Sequence, residues 1–249
     1  MGSRNCVITG VSSGIGKTMA EILAGSGYHV FGIARPSGRF EEAIGFWGSS
    51  QLSITPIPAD IADPEHVAGA FRQISAMTES IDLLINNAGH YFTEDCDLPS
   101  METMRANIEV NFLGHFNMIS TFLPLLEKSS LARTATDDEA SSMETSASGW
   151  PTIINVTSGA GGFAQCNSQG PLAYRTSKAA MNMVTRSLHH LLAPKGIAIH
   201  AVDPGWVKTR LNPAGTDTPE NSAMFILRLL TISPNEGGRF WYYGQPAAW

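Results

Sequence analysis

Charged residues are scarce in this chain. They make up 15% of its 249 residues, no block of Lys or Arg occurs among them, and the formal net charge is −6. These properties argue against a nucleic-acid surface, because such a surface concentrates positive charge. We therefore expect no nucleic-acid partner.

Cysteine is equally rare. Cys6, Cys96 and Cys166 are odd in number and show no CxxC spacing. This pattern indicates neither a disulfide framework nor a metal site, and it is typical of a reducing, cytoplasmic setting.

Long apolar runs are also missing. No run reaches the roughly 18 residues that identify a membrane-spanning helix, and the first β-rich run starts too early for a secretory leader before it. Hydrophobic residues nevertheless make up 43% of the chain, which is enough to bury one sizeable core. The sequence thus predicts a soluble protein with no membrane partner, formed by one domain over residues 1–249.

Short β-rich runs alternate with longer helical patterns, as is typical of parallel βαβ units. Strands are expected at NCVIT, HVFGIA, SITPIPAD, IDLLINNAG, TIINVTS, IAIHAVDPG and GRFWYYG. Long helices are expected over residues 101–126 and 174–193, and the helix after the first strand ends at Gly25 or Gly27. The predicted fold class is α/β: a single Rossmann-type, doubly wound domain with a central parallel sheet of about seven strands flanked by helices.

One segment, residues 128–149, interrupts this alternation. It is rich in Ser, Thr, Ala and acidic residues and poor in aliphatic ones. That composition predicts a flexible acidic insertion or solvated loop. A simple surface excursion and a partner-binding or regulatory segment both fit it.

A glycine-rich turn, TGVSSGIG, follows the first strand and has glycines at positions 10, 14 and 16. Between a strand and a helix, such a turn lets the backbone approach a pyrophosphate at the helix N-terminus. The turn therefore predicts a dinucleotide site, with a turn that needs glycine only for packing as the alternative.

The end of the second strand bears on the choice of dinucleotide. It reads GIARP, so Ala34 stands where an acid would bind the ribose of NAD, and Arg35 follows it. A guanidinium binds a 2′-phosphate through forked hydrogen bonds, so we predict NADP(H) in preference to NAD(H). Arg35 could instead be a solvent-facing charge, and Arg39 or Lys17 could share or take its role.

Tyr174 and Lys178, in LAYRTSKAAMNM, share one face of a helix because they are four residues apart. A carbonyl that accepts hydride develops negative charge on its oxygen, and a positioned acid must protonate it. Tyrosine, with an ordinary pKa of about 10, holds its proton too tightly for this task near neutrality. We expect the nearby cation and an oxidised nicotinamide to lower the pKa of Tyr174, which makes it the candidate general acid/base.

Six motifs in order resemble the short-chain dehydrogenase/reductase family. They are TGVSSGIG, NNAG at 86–89, NIEVNFLG, NVTS at 155–158, YRTSK at 174–178 and PGWVKT at 204–209, and they span nearly the whole chain. Within the family, AYRTSKAAMNM, DPGWVKT and the GGRFW ending resemble the C-factor-like and sniffer-like carbonyl reductases.

This resemblance implies the catalytic residues Ser158, Tyr174, Lys178 and Asn111. Ser158 would hydrogen-bond the substrate oxygen, and Lys178 would also bind the nicotinamide ribose. Asn111 would hold a water in a proton relay, unless it is a helix-interior asparagine bonded to backbone. The Ser158 to Tyr174 spacing is longer than in most members, which leaves Ser168 as an alternative to Ser158.

The resemblance also implies a set of cofactor-binding residues. Besides Tyr174 and Lys178 they are Gly10, Ser12, Ser13, Gly14, Ile15, Gly16, Arg35, Asp60, Ile61, Asn87, Ala88, Gly89, Pro204, Gly205, Val207 and Thr209. Asp203, just before PGW, either stabilises a turn or binds a polar substrate group.

The substrate is expected to be a small carbonyl or alcohol compound, apolar or aromatic in character. Nearby candidates for its pocket are Phe163, Gln165, Cys166, Trp206 and Leu211, although each could equally belong to the core. No role is assigned to the histidines at 90, 115, 189 and 190.

The leading functional interpretation is an NADPH-dependent ketone or aldehyde reductase of the carbonyl reductase type. The alternatives are a tailoring enzyme of secondary metabolism that dehydrates or isomerises its substrate, and a cofactor-binding regulatory or signalling protein. The resemblance also implies a homodimer or homotetramer, paired through the helices that hold Asn111 and Tyr174.

Overall fold

The computed structural model describes residues 4–93, 98–137, 149–167 and 169–249. Its strands are β1 (Arg4–Thr9), β2 (Tyr28–Ala34), β3 (Ile54–Pro58), β4 (Leu83–Asn86), β5 (Thr152–Val156), β6 (Ala198–Asp203), β7 (Phe240–Tyr242) and β8 (Gln245–Ala247). They form one sheet in the order β3-β2-β1-β4-β5-β6-β7-β8. All pairings are parallel except that of β7 with β8.

Seven α-helices occur in the described residues. They are α1 (Gly14–Gly25), α2 (Gly38–Ser49), α3 (Pro64–Ser75), α4 (Met101–Ile108), α5 (His115–Asp137), α6 (Leu172–Leu192) and α7 (Pro219–Leu227). A π-helical turn, Glu109–Gly114, joins α4 to α5. Side chains cap the N-termini of several α-helices. Ser37 for α2, Asp63 for α3 and Ser100 for α4 each accept a hydrogen bond from a backbone N–H of the first turn.

Apolar side chains cover both faces of the sheet, as is typical of parallel strands that are buried on two sides. One cluster includes Met19 of α1, Trp47 of α2 and Ile226 of α7. The cluster on the opposite face includes Val67 of α3 and Phe122 of α5. Helices therefore flank the sheet on both sides.

The order in which the chain adds strands to the sheet reverses direction between β1 and β4, which are neighbours in the sheet. In a doubly wound fold, the crevice at the carboxyl ends of the strands at such a point is where ligands bind. The predicted fold class is confirmed, and each predicted strand is present.

The sheet has eight strands rather than about seven, because the chain turns back after β7. The turn uses a left-handed backbone at Tyr243 (φ 47°) and Gly244 (φ 73°). The resulting β8 spans only Gln245–Ala247, too short for alternation to be read from the sequence.

The expected helix over 101–126 needs two corrections. It is interrupted by the π-helical turn, and α5 continues past Lys128 to Asp137, inside the segment expected to be a flexible insertion. Tertiary hydrogen bonds explain the extension: Ser129 donates to Asp82 (2.7 Å) and Ser130 donates to the Lys195 carbonyl oxygen (2.6 Å). Residues 138–148 of the expected insertion lie outside the described residues.

In the part of the chain that the structure describes, no helix combines the length and apolar character required to cross a bilayer.

Candidate active site

A cleft of about 1000 Å³ opens at the carboxyl ends of the strands. Every residue predicted to bind cofactor lines it, and so does Ser158. The fold thus brings together side chains that are separated by most of the chain length.

The glycine-rich turn lies at one end of this cleft, between β1 and α1. Gly10 has a φ of 77°, and a side chain there would meet the backbone of Ala88 at 2.8 Å. A Cβ on Gly16 would overlap the Asn87 amide and the Gly10 carbonyl oxygen. Glycine at these two positions therefore lets the turn close on itself and pack tightly against Asn87 and Ala88.

The ends of β1 and β4 are tied together beside this turn. The Thr9 hydroxyl accepts the backbone N–H groups of Asn87 and Ala88, both at 3.0 Å. The Asn87 side chain in turn donates to the Thr9 carbonyl oxygen at 2.9 Å. These bonds hold the NNAG segment against the glycine-rich turn.

The second strand ends at the other side of the cleft, where Arg35, Ser37 and Arg39 are lining residues. The Arg35 guanidinium is 63% exposed and lies 3.8 Å from a carboxylate oxygen of Asp60. Lys17 is not among the lining residues; its ammonium pairs with Glu21 at 2.5 Å. Of the three candidate cations, Arg35 and Arg39 therefore line the cleft and Lys17 does not.

Tyr174 and Lys178 project into the cleft from the first turns of α6. The Lys178 side chain is 4% exposed, donates to the Val156 carbonyl oxygen at 3.1 Å, and lies 5.7 Å from the centroid of the Tyr174 ring. The ring of Tyr91 packs edge-on against Tyr174 at a centroid separation of 5.0 Å. The predicted pair is thus assembled around the cleft.

In the protein alone, the pKa of Tyr174 is raised rather than lowered. The pKa is about 12: burial raises it most, hydrogen bonding with Ser158 lowers it, and Asp203 and Tyr91 raise it. Burial also lowers the pKa of Lys178 to about 8. In the protein alone, desolvation of the phenolate therefore dominates, and a lowering of this pKa with oxidised nicotinamide bound stays a prediction.

Ser158 begins a short 3₁₀ turn, Gly159–Gly161, directly after β5. Its hydroxyl oxygen accepts the Ala160 N–H at 3.1 Å, so the hydroxyl proton points elsewhere. The Ser158 side chain also hydrogen-bonds with Tyr174 and thereby lowers the Tyr174 pKa, so the Ser158 hydroxyl lies beside the phenol. The alternative, Ser168, lies outside the described residues.

Asn111 is buried behind the cleft rather than on its wall. It lies in the π-helical turn, accepts the His90 N–H at 2.8 Å, and donates to the His90 carbonyl oxygen at 2.8 Å and to Ser177 at 3.1 Å. Its Oδ1 and the Lys178 ammonium both lie within 4 Å of the position that a Cβ on Gly89 would take. It bonds to the backbone of another segment, and its relay role stays a prediction.

His115 was left without a role by the sequence, yet it contacts the cofactor-side loop. It is fully buried, and its Nε2 lies 2.6 Å from the carbonyl oxygen of Ala88. Burial and the charge of Lys178 lower its pKa to about 3, so it is neutral and donates this bond. Its position four residues after Asn111, on the same helical face, is the only sequence signal it carries.

Asp203, the last residue of β6, accepts the Gly205 N–H at 2.7 Å. This bond is the predicted turn stabilisation. The other carboxylate oxygen accepts the Gly159 N–H at 2.5 Å, a contact that the sequence did not indicate.

The expected substrate pocket is present only in part. Trp206 and Leu211 line the cleft, whereas Phe163, Gln165 and Cys166 do not. Phe163 is 82% exposed, because its loop turns outward to the chain end, where Ala164 donates to the Trp249 carbonyl oxygen at 2.9 Å. Other residues that line the cleft are His90, Tyr91, Pro171, Arg175 and Arg210.

Residues 4–220 match the family described as short chain dehydrogenase. The chain belongs to this family. The match covers both the glycine-rich turn and the Tyr174–Lys178 pair, and it extends beyond β6. The chain is therefore a member of an oxidoreductase family.

Two similar sequences come from a fungus and a bacterium. A Penicillium roqueforti protein named short-chain dehydrogenase anuI is 32% identical, over 92% of this chain and 90% of its own length. The C-signal protein of Myxococcus xanthus is 33% identical, over 69% of this chain and 95% of its own length.

Solved structures of carbonyl reductases share the fold. The NADPH-bound carbonyl reductase from chicken fatty liver has a TM-score of 0.85 and 26% identity over 100% of both chains. The carbonyl reductase Sniffer of D. melanogaster has a TM-score of 0.87 and 24% identity, also over 100% of both chains. The resemblance to this family and to its carbonyl reductase branch is confirmed.

Proposed function

We propose that this short-chain dehydrogenase reduces a ketone or aldehyde to an alcohol with NADPH, using Tyr174 as the general acid. The observation that carries the proposal is the convergence of Ser158, Tyr174 and Lys178 in one cleft with the glycine-rich turn. An NADPH-bound carbonyl reductase is among the proteins that share this fold.

The cleft has the features that a dinucleotide needs. The glycine-rich turn lines it between β1 and the N-terminus of α1, where backbone N–H groups can receive a pyrophosphate. NADPH, when bound, supplies the hydride.

The preference for NADPH follows from the end of β2. Ala34 brings no carboxylate to repel a 2′-phosphate, and Arg35 and Arg39 flank the N-terminus of α2, which Ser37 caps. A helix N-terminus and two guanidinium groups all favour a phosphate dianion. NADH lacks this phosphate and gains nothing from either arginine.

Ser158 and Tyr174 both act on the substrate oxygen. The Ser158 hydroxyl donates a hydrogen bond to it, and Tyr174 transfers its phenolic proton to it as the carbonyl carbon receives hydride. Burial raises the pKa of Tyr174 to about 12 in the protein alone, so proton transfer near neutrality depends on stabilisation of the phenolate as it forms. The Lys178 ammonium then stabilises the phenolate until it is reprotonated.

The test is the loss of NADPH absorbance with aliphatic, aromatic and quinone carbonyl compounds, with NADH measured separately. We expect consumption that depends on the carbonyl and falls by at least about a thousandfold in Tyr174→Phe, since the proton donor is lost. Tyr91→Phe is the matched control, because it removes a hydroxyl from the neighbouring ring and leaves the acid in place.

Unchanged turnover in Tyr174→Phe would contradict the mechanism. If NADPH binds but no carbonyl is consumed, the reductase proposal fails. A regulatory role, which the similarity to C-signal favours, would then replace it. Product analysis separates reduction from dehydration or isomerisation.

A further inference from the structure

The Asp203 carboxylate joins two turns that follow neighbouring strands. Its Oδ1 accepts the N–H of Gly205, in the PGW turn after β6, at 2.7 Å. Its Oδ2 accepts the N–H of Gly159, next to Ser158 in the turn after β5, at 2.5 Å. One side chain therefore sets the separation of the turn that carries the substrate hydrogen-bond donor and the turn at the nicotinamide end.

The turn at Gly159 encloses the Asp203 carboxylate closely. A Cβ on Gly159 would lie 2.8 Å from Asp203 Oδ2. Gly205 has a φ of 87°, and a Cβ there would lie 3.0 Å from a carboxylate oxygen of Asp217. Glycine at position 159 therefore lets its N–H reach Asp203, and the left-handed backbone at Gly205 favours glycine in the turn that supplies the second N–H.

The same carboxylate acts electrostatically on the catalytic pair. Its negative charge raises the pKa of Lys178, against the larger lowering by burial, and it adds to the raising of the Tyr174 pKa by burial. Both effects favour the protonated state. At Lys178 this keeps the ammonium that stabilises the phenolate, whereas at Tyr174 it makes the phenol a weaker acid, so the benefit of Asp203 lies in positioning Ser158 and in the charge of Lys178.

The other titratable groups around these residues come from several elements. They are Tyr242 of β7, which faces Asp203; Asp217, which acts on Tyr242; Tyr91, which faces Tyr174; and His115 of α5, which faces Lys178. Asp203 is the acid that acts on both members of the catalytic pair.

We propose that Asp203 is a positioning residue that aligns Ser158 with the nicotinamide end of the cleft and keeps negative charge beside Tyr174 and Lys178. The inference rests on the proposed reduction. It assigns Asp203 no contact with substrate, and it extends the catalytic set to a residue whose two bonds join separate loops.

The test compares Asp203→Asn with Asp203→Glu, and Asp217→Asn serves as the matched control. In Asp203→Asn one carboxylate oxygen is replaced by an amide NH₂, a donor that faces a backbone N–H. We therefore expect kcat to fall about ten- to a hundredfold, which is the loss in rate that a misplaced catalytic group causes. We also expect the alkaline limb of the pH profile to move to lower pH, because the pKa values of Lys178 and Tyr174 are no longer raised by the carboxylate.

Asp203→Glu separates position from charge. It should lower kcat, because the longer side chain misplaces both acceptors, while the alkaline limb stays near that of the wild type. Asp217→Asn should leave kcat and the limb unchanged. Wild-type kcat and pH profile in Asp203→Asn would overturn the proposal.

A readout without turnover keeps this test separate from the proposed reduction. The titration of Lys178 can be followed by NMR with ¹³C-labelled lysine and assigned with Lys178→Arg. Its midpoint should lie at lower pH in Asp203→Asn than in the wild type, even if no carbonyl is consumed. An unmoved midpoint would show that the carboxylate does not act on the pair.

Discussion

The His115 imidazole donates a hydrogen bond to the carbonyl oxygen of Ala88, with Nε2 and O separated by 2.6 Å. On the other side of the same residue, the Ala88 N–H donates a hydrogen bond to the Thr9 hydroxyl. The NNAG segment is thus held between α5 and β1. We expect this contact to position the NNAG segment at the side of the cleft where the cofactor is proposed to bind.

Replacing His115 with Phe should weaken NADPH binding. The ring volume is kept, but the Ala88 carbonyl oxygen loses its buried donor, which costs about 1–3 kcal/mol and loosens the loop. We expect an increase in the NADPH dissociation constant of about tenfold, measured by fluorescence titration. His115→Gln, which retains a donor, should recover part of the affinity; equal losses in both variants would contradict this role.

The buried histidines make stability depend on pH. Burial lowers the pKa of His115 to about 3 and that of His200 to about 4, from an ordinary value of 6.5. Below pH 6.5 the unfolded chain takes up protons that the folded chain does not, so stability falls as the pH falls. Between pH 7 and pH 5 the expected loss is about 2 kcal/mol for each histidine.

Urea unfolding at pH 7, 6 and 5 measures this loss. His200→Gln removes one of the two titrating groups while leaving an acceptor for the Trp241 indole N–H. The variant should lose stability less steeply than the wild type on acidification. A free energy of unfolding that is equal at pH 7 and pH 5 would show the prediction to be wrong.

Cofactor choice should depend on Arg35. Arg35→Ala removes a guanidinium from the phosphate side of the cleft, and we expect the NADPH dissociation constant to rise about ten- to a hundredfold, as for loss of a charge-assisted bond. NADH binding should not change. Lys17→Ala, which removes a cation outside the cleft, is the control, and an equal effect of both variants would contradict the assignment.

Asp82 should be important for stability. It accepts hydrogen bonds from the Asn5 N–H, the Ser129 hydroxyl and the Arg133 guanidinium, and the Asp82 and Arg133 side chains are 15% and 20% exposed. Asp82→Ala leaves these donors without their acceptor and should cost about 3 kcal/mol in unfolding free energy.

The matched control is Glu127→Ala. Glu127 also forms an ion pair from α5, with Lys195, but both side chains are more exposed, at 34% and 44%. Solvent screens such a pair, so the loss should stay below about 1 kcal/mol. Similar losses in the two variants, by urea unfolding, would refute the importance of burial at Asp82.

The sequence alone determined the alternating fold and the cofactor side of the cleft. Strand composition and glycine spacing are local properties, and TGVSSGIG can serve a dinucleotide only between a strand and a helix. The pairing of Tyr174 with Lys178 is equally local, because four residues make one helical turn. These features were predictable because neighbouring residues specify them.

Contacts between distant segments were decided by the tertiary structure. The bond from Asp203 to Gly159 spans 44 positions and that from His115 to Ala88 spans 27, and neither pair has a periodic signal. The direction of the Tyr174 pKa likewise depends on burial, which the whole fold creates. The extension of α5 past Lys128 depends on Asp82, a partner from another part of the chain. Local pattern specifies which elements form, whereas packing decides which side chains meet and how strongly water is excluded from them.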